Sequence, residues 1–176
     1  MRVTEAPPTG PSQSPEAGTP TPAAGGRAPA GGTSAPAAGA PMSADAVRAY
    51  LAEVFPQVFA AHALVVAQAA DGYARLVLTP DERHLRPGGI ISGPTLMMLA
   101  DAAAYAALLS GTDAAKMAVT TNLNITFLRA APAGTDIVQD ARVVKWGRRL
   151  SVLVCETSAA GRPVAHTTMS YAMPTD

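Results

Sequence analysis

The stretch PTLMMLADAAAYAALL, residues 94–109, decides the fold of this 176-residue chain. It runs for sixteen residues with one charge, Asp101. Pro94 suits the first position of a helix, and nothing later in the run breaks one. Alanines at 100, 102, 103, 104, 106 and 107 put small side chains on several faces. A helix with so little polar surface has to be covered, and small faces let a curved sheet approach from more than one side. A carboxylate in that setting is costly unless something hydrogen-bonds it or uses it. Asp101 is therefore the residue to explain, and the glycine-rich, basic HLRPGGIISGP (84–94) leads straight into its helix.

Working outward, Val47, Tyr50, Leu51, Val54 and Phe55 recur at helical spacing behind Ser43 and Asp45, until Pro56 kinks or ends the pattern. Strands are predicted over 63–69 and 73–79, joined by Asp71-Gly72, a strong hairpin signal. A loop over 80–93 follows. Downstream of the long helix the period changes to two. Val119, Thr121, Leu123, Ile125 and Phe127 fall on one face, and Thr120, Asn122, Asn124 and Thr126 on the other. Ala133-Gly134, Gly147 and a connection over 158–163 separate further strands at 137–146, 150–157 and 164–172. The expected fold class is α+β: an antiparallel β-sheet wrapped around one long central helix, with a second helix at the N-terminal side.

Composition bounds the rest. Residues 1–41 hold nine of the sixteen prolines, four charges (Arg2, Glu5, Glu16, Arg27), and no isoleucine, leucine or aromatic. Such a segment cannot bury enough apolar surface to offset its ordering entropy, so disorder is expected through residue 42 and one folded domain over 43–176. The leader lacks the apolar core of a signal peptide, and its two arginines make a poor transit peptide. It reads either as a solvated tail or as a start assigned too far upstream. Residues 42–176 carry eleven basic and eleven acidic side chains, which argues against a nucleic-acid partner. Cys155 is the lone cysteine, and His62, His84 and His166 show no metal-ligand spacing, so neither a disulfide framework nor a metal or other cofactor is implied. No run reaches the roughly 18–20 apolar residues of a membrane span. A cytoplasmic protein with no membrane partner is expected.

Arg86, Gly89, Ser92, Gly93, Pro94 and Leu99-Ala100-Asp101 together resemble the motif of the hotdog-fold, PaaI-like acyl-CoA thioesterases. The family pattern is Asn, two residues, Gly, two residues, His-Gly-Gly, then an apolar helix bearing Leu-Ala-Asp. In register, Arg86 stands at the Asn, Gly89 at the first Gly, Ser92 at the His, and Gly93-Pro94 at the Gly pair. AVTTNLNITFLRAAP (118–132) is similar to the family's third strand, and WGRRLSV (146–152) to a later turn. The resemblance spans residues 44–174 and implies thioester hydrolysis. RPGGxxSGP marks a divergent branch.

That chemistry needs a base or nucleophile for the carbonyl carbon and a donor for the developing oxyanion. Asp101 fills the first role, activating water or attacking directly. The Gly93 N–H, at the helix N-terminus, fills the second; Pro94 has no N–H to add. Seven residues from Pro94 to Asp101 rise about 10 Å along the axis, too far for one thioester to bridge easily. Pairing Gly93 of one subunit with Asp101 of another relieves this, as the resemblance implies for family dimers. A homodimer or homotetramer with sites at the subunit interface is therefore expected.

Other roles stay open. Arg86 either faces Asp101, favouring its charged form, or faces a CoA phosphate or an acidic acyl group. Ser92 reads as a helix cap or a substrate ligand. Thr120 orients water or the carboxylate and Asn122 contacts pantetheine, unless both are only the polar face of an interface strand. Gly89 and Ile91 are placed in the substrate-binding loop. Arg148 and Arg149, with Lys145, bind CoA phosphates or are simply solvated. Asp101 itself has a purely structural alternative, paired with Arg86 or a backbone amide. Against hydrolysis stands a second function, a non-catalytic acyl-CoA or acyl-carrier binding module. A hydratase is weaker still, since it would want a histidine where Ser92 stands.

Overall fold

The computed structural model describes residues 39–174, so the expectation for the proline-rich leader lies outside the described residues up to residue 38. From Gly39 on, the backbone is tied down: Asp113 N–H donates to Ala40 C=O at 2.8 Å and Met42 N–H to Leu109 C=O at 3.2 Å.

The elements run α1 (Ala44–Val54), the single-turn α2 (Pro56–Phe59), β1 (Val65–Ala70), β2 (Tyr73–Leu78), β3 (Leu85–Arg86), β4 (Ile90–Ile91), α3 (Gly93–Gly111), β5 (Val119–Phe127), β6 (Ile137–Lys145), β7 (Leu150–Ala159) and β8 (Arg162–Ala172). Six strands form one antiparallel sheet in the order β1-β2-β6-β7-β8-β5; β3 and β4 pair separately. This is the expected α+β architecture.

The long helix sits where its composition requires. Thirteen of its nineteen residues are buried, among them the alanines at 100, 102, 103, 104, 106 and 107. It packs chiefly on β2, β6 and β7. Val47 and Leu51 of α1 pack into the same core. Pro56 ends α1 and opens α2, as a residue without an N–H does at a first helical turn. The helix α3 runs two residues beyond the predicted end, to Gly111. A Cβ there would lie 2.3 Å from Trp146 Cζ2, so glycine lets the indole seat against the last turn. Among the described residues no helix is long and apolar enough to cross a membrane.

Two departures from strict alternation matter. The connection expected over 158–163 is mostly strand: β7 continues to Ala159, and Ala160-Gly161, both at positive φ, make a two-residue turn. Ser158 then pairs with Pro163 and Thr157 with Ala165, with a bulge at Val164 that accommodates a proline in the ladder. In β5, Thr120 pairs with Tyr171 and Asn122 with Ser170, leaving Thr121 as an extra residue. That bulge puts Thr120 on the same face as Leu123 and Ile125, which the two-residue period placed opposite to it.

Candidate active site

Asp101 projects from the middle of α3 toward the β5–β8 edge of the sheet. Its Oδ1 accepts from Thr120 Oγ1–H at 2.8 Å and from the Tyr171 hydroxyl at 2.6 Å. The Tyr171 oxygen also lies 3.1 Å from the Asp101 carbonyl. Neither Arg86 nor any other cation pairs with Asp101 among the described residues, and no backbone amide caps it. Two neutral hydroxyls hold Oδ1, and among the described residues nothing donates to Oδ2. Tyr171 is 2% exposed. Burial first, and the adjacent Asp101 charge second, push its phenol far above the ordinary tyrosine range, so it is a donor at any working pH. Behind the helix, burial and then the same charge push the Cys155 thiol up to about 12. Cys155 is buried and free.

Tyr171 was not among the residues singled out from the sequence. It is one of several inward positions on β8, and only the pairing of β8 with the bulged β5 brings it opposite Thr120.

The start of α3 is built differently. Ser92 is its N-cap: Oγ accepts from Thr95 N–H at 3.3 Å and bonds Thr95 Oγ1 at 2.8 Å, while its C=O accepts from Leu96 N–H. That leaves the Gly93 N–H as the unclaimed donor of the first turn. The preceding loop is pinned from below. Buried His84 gives its C=O to Ser92 N–H at 2.8 Å and to the Thr95 hydroxyl at 3.1 Å. Its ring accepts from Asp81 N–H at Nδ1, so Nε2 carries the proton and donates to His62 Nδ1 at 3.0 Å. Burial, then the His84 ring, lower the pKa of His62.

Gly93 opens on a cavity of about 410 Å³ lined by apolar Ile90, Ile91, Leu96, Phe127 and Leu128, with Arg86 and Arg129 among its walls. Phe127 covers Gly93 closely; a Cβ there would come within 3.2 Å of the ring. Arg129 is tethered through Nη1 to Pro163 C=O at 2.6 Å. Arg86 is exposed and makes no ion pair or side-chain hydrogen bond among the described residues.

The structure thus gathers the sequence candidates into two groups. Arg86, Ile91 and Gly93 share the cavity, with Gly89 in the exposed β3–β4 turn, where Gly88 and Gly89 both have positive φ. Asp101 and Thr120 stand together elsewhere, and Asp101 does not line the cavity. Asn122 falls beyond the bulge on the outer sheet face, away from Asp101. Exposed Arg148 and Arg149 lie on the Asp101 side, since Met173 N–H, two residues past Tyr171, donates to Arg149 C=O at 3.0 Å.

A family model described as the thioesterase superfamily matches residues 88–165, which contain Gly93, Asp101 and Thr120. A solved candidate thioesterase of Silicibacter sp. TM1040 is 39% identical, with 76% of this chain and 93% of that one covered at a TM-score of 0.69. The chain belongs to the thioesterase superfamily. Within it the hotdog-fold, PaaI-like group is its family. A mutant structure of the phenylacetic acid degradation protein PaaI of Thermus thermophilus is 28% identical over 66% of this chain and 97% of that one, with a TM-score of 0.59. The PaaI protein of the E. coli phenylacetic acid degradation operon, 21% identical over 75% and 94% with a TM-score of 0.66, shares the fold. No curated protein matches the sequence significantly. In this superfamily chain, then, an apolar helix presents one carboxylate and one open N-terminal amide, each in its own surroundings.

Proposed function

We propose that the chain is an acyl-CoA thioesterase, hydrolysing a thioester to a carboxylic acid and free CoA. The observation that carries this reading is the setting of Asp101: an ionisable group on an otherwise apolar helix, held by two hydroxyls through Oδ1, with no paired cation and no donor to Oδ2 among the described residues. Oδ2 of this part-buried carboxylate is thereby open to water or substrate.

In this reading Oδ2 takes a proton from water as the water oxygen attacks the thioester carbonyl carbon. The resulting oxyanion accepts from the Gly93 N–H, aided by the partial positive charge at the α3 N-terminus. Collapse expels the CoA thiolate, which recovers the proton from Asp101. Direct attack by Oδ2, giving an anhydride that water then opens, leads to the same products.

Gly93 and Asp101 are eight residues apart, about 12 Å along one helix axis. We place the working site between subunits, with the cavity and Gly93 of one chain facing Asp101 of another. The nine-residue edge strand β5 supports such pairing: its outer side has unpaired backbone groups, and Val119, Phe127 and the adjoining Leu128 are 63%, 51% and 50% exposed. The assembly is a homodimer or a homotetramer built from it. Exposed Arg148 and Arg149 on the Asp101 side suit CoA phosphates, and the apolar cavity beside Gly93 suits an acyl chain. The free thiol fits the reducing cytoplasm.

The test is thiol release from acetyl-, hexanoyl-, palmitoyl- and aryl-CoA by the full chain and by Asp101→Asn. Turnover by the wild type, reduced roughly 10³-fold in the variant, is the expected result. Hydrolysis indifferent to Asp101 overturns the mechanism. Binding without turnover by the wild type makes the chain a non-catalytic acyl-CoA module instead.

A further inference from the structure

We propose that Tyr171 is a positioning residue for Asp101: with Thr120 it saturates Oδ1, fixing the carboxylate's orientation and leaving Oδ2 as the reacting oxygen. This rests on the reading of Asp101 as the base or nucleophile.

Three features of the fold support it. The first is convergence. Two hydroxyls from neighbouring strands reach the same carboxylate oxygen, at 2.8 Å from Thr120 and 2.6 Å from Tyr171, while none reaches Oδ2. Each carboxylate oxygen has two lone-pair directions, so two donors fill Oδ1 and leave both directions of Oδ2 open. The second is the route by which the donors arrive. Thr120 and Tyr171 are direct partners in the β5–β8 ladder, and Thr120 faces inward only because of the bulge at Thr121. Bulges recur next to active sites, where they re-aim a side chain. The third is the state of the phenol. Tyr171 is buried and remains protonated at any working pH, so it donates and cannot compete as a second anion. Its oxygen had an alternative acceptor in the Asp101 C=O, at 3.1 Å, yet it stands closer to the carboxylate.

The consequence is directional. Fixing Oδ1 fixes the plane of the group, so Oδ2 is presented along one line. Losing Tyr171's oxygen frees the carboxylate to turn.

Tyr171→Phe keeps the ring and removes only the oxygen. The expected result is a roughly tenfold lower kcat with KM within about threefold. Thr120→Val lowers kcat in the same way, and Thr120→Ser restores it. A readout independent of turnover is the ¹³C resonance of the Asp101 carboxyl at one fixed pH, assigned by its loss in Asp101→Asn. It should move in Tyr171→Phe, where one donor to Oδ1 is gone. If wild-type hydrolysis depends on Asp101 but Tyr171→Phe leaves both kcat and the ¹³C resonance in place, Tyr171 only packs and the proposal is wrong. If no Asp101-dependent hydrolysis exists, the functional reading fails, and the ¹³C resonance still decides whether the hydroxyl pair holds the carboxylate.

Discussion

At Asp101 the helix α3 meets a finished environment, with two hydroxyls on Oδ1, a buried phenol and a buried thiol behind it. Eight residues earlier, at Gly93, it meets an unfinished one: an apolar cavity and, among the described residues, an unclaimed N–H and an unpaired guanidinium at Arg86. The contrast separates two jobs. Groups that do chemistry must be oriented before substrate arrives, since reorganising them at the moment of reaction costs rate. Groups that receive a substrate have to stay unsatisfied until it comes. On the proposed reading, the middle of α3 acts and its N-terminal start accepts.

That contrast can be broken at either end. The largest expected effect concerns the finished end. With its pKa pushed up to about 12 from an ordinary 9.0, the Cys155 thiol should react with iodoacetamide about a thousandfold more slowly in the native protein than in urea. Labelling at equal rates would show that the inner side of α3 is open to solvent. A smaller effect belongs to the accepting end. Arg86→Ala should raise KM for CoA thioesters roughly tenfold with kcat nearly unchanged, because a free guanidinium in the cavity wall is available to an anionic group of the substrate. A higher kcat in Arg86→Asn, at constant KM, would mean instead that Arg86 restrains Asp101, and the two ends would no longer be independent.

The fold was legible because its signals are periodic. The apolar run over 94–109 and the alternation after residue 118 specify a covered helix and an antiparallel sheet, and Asp71-Gly72 forms its hairpin with both residues at positive φ. The site was legible only in part. Asp101 stands out because it is the lone charge in its helix. Thr120 was picked from the family strand, but strict alternation set it on the wrong side of Leu123 and Ile125; a one-residue bulge has no signature in a run of Thr, Thr and Asn. Asn122 stays opposite Leu123 and Ile125, so the bulge parts it from Thr120. Tyr171 carries no local mark, since its meaning comes from a partner 51 residues away in sequence. The connection expected over 158–163 rests on Gly161, which marks only a two-residue turn; the flanking residues stay in strand, with a bulge at Val164 beside Pro163.

The central claim is that each chain carries two half-sites completed by another subunit. Asp101→Asn and Gly93→Val, the latter crowding Phe127 at the cavity mouth, should each abolish turnover as homo-oligomers. When the two variants are mixed, dissociated and reassociated as equal dimers, half the dimers hold one intact site, and about a quarter of wild-type activity should return. No recovery, with exchange confirmed by mass, would place Gly93 and Asp101 of the same chain in one site and contradict the account.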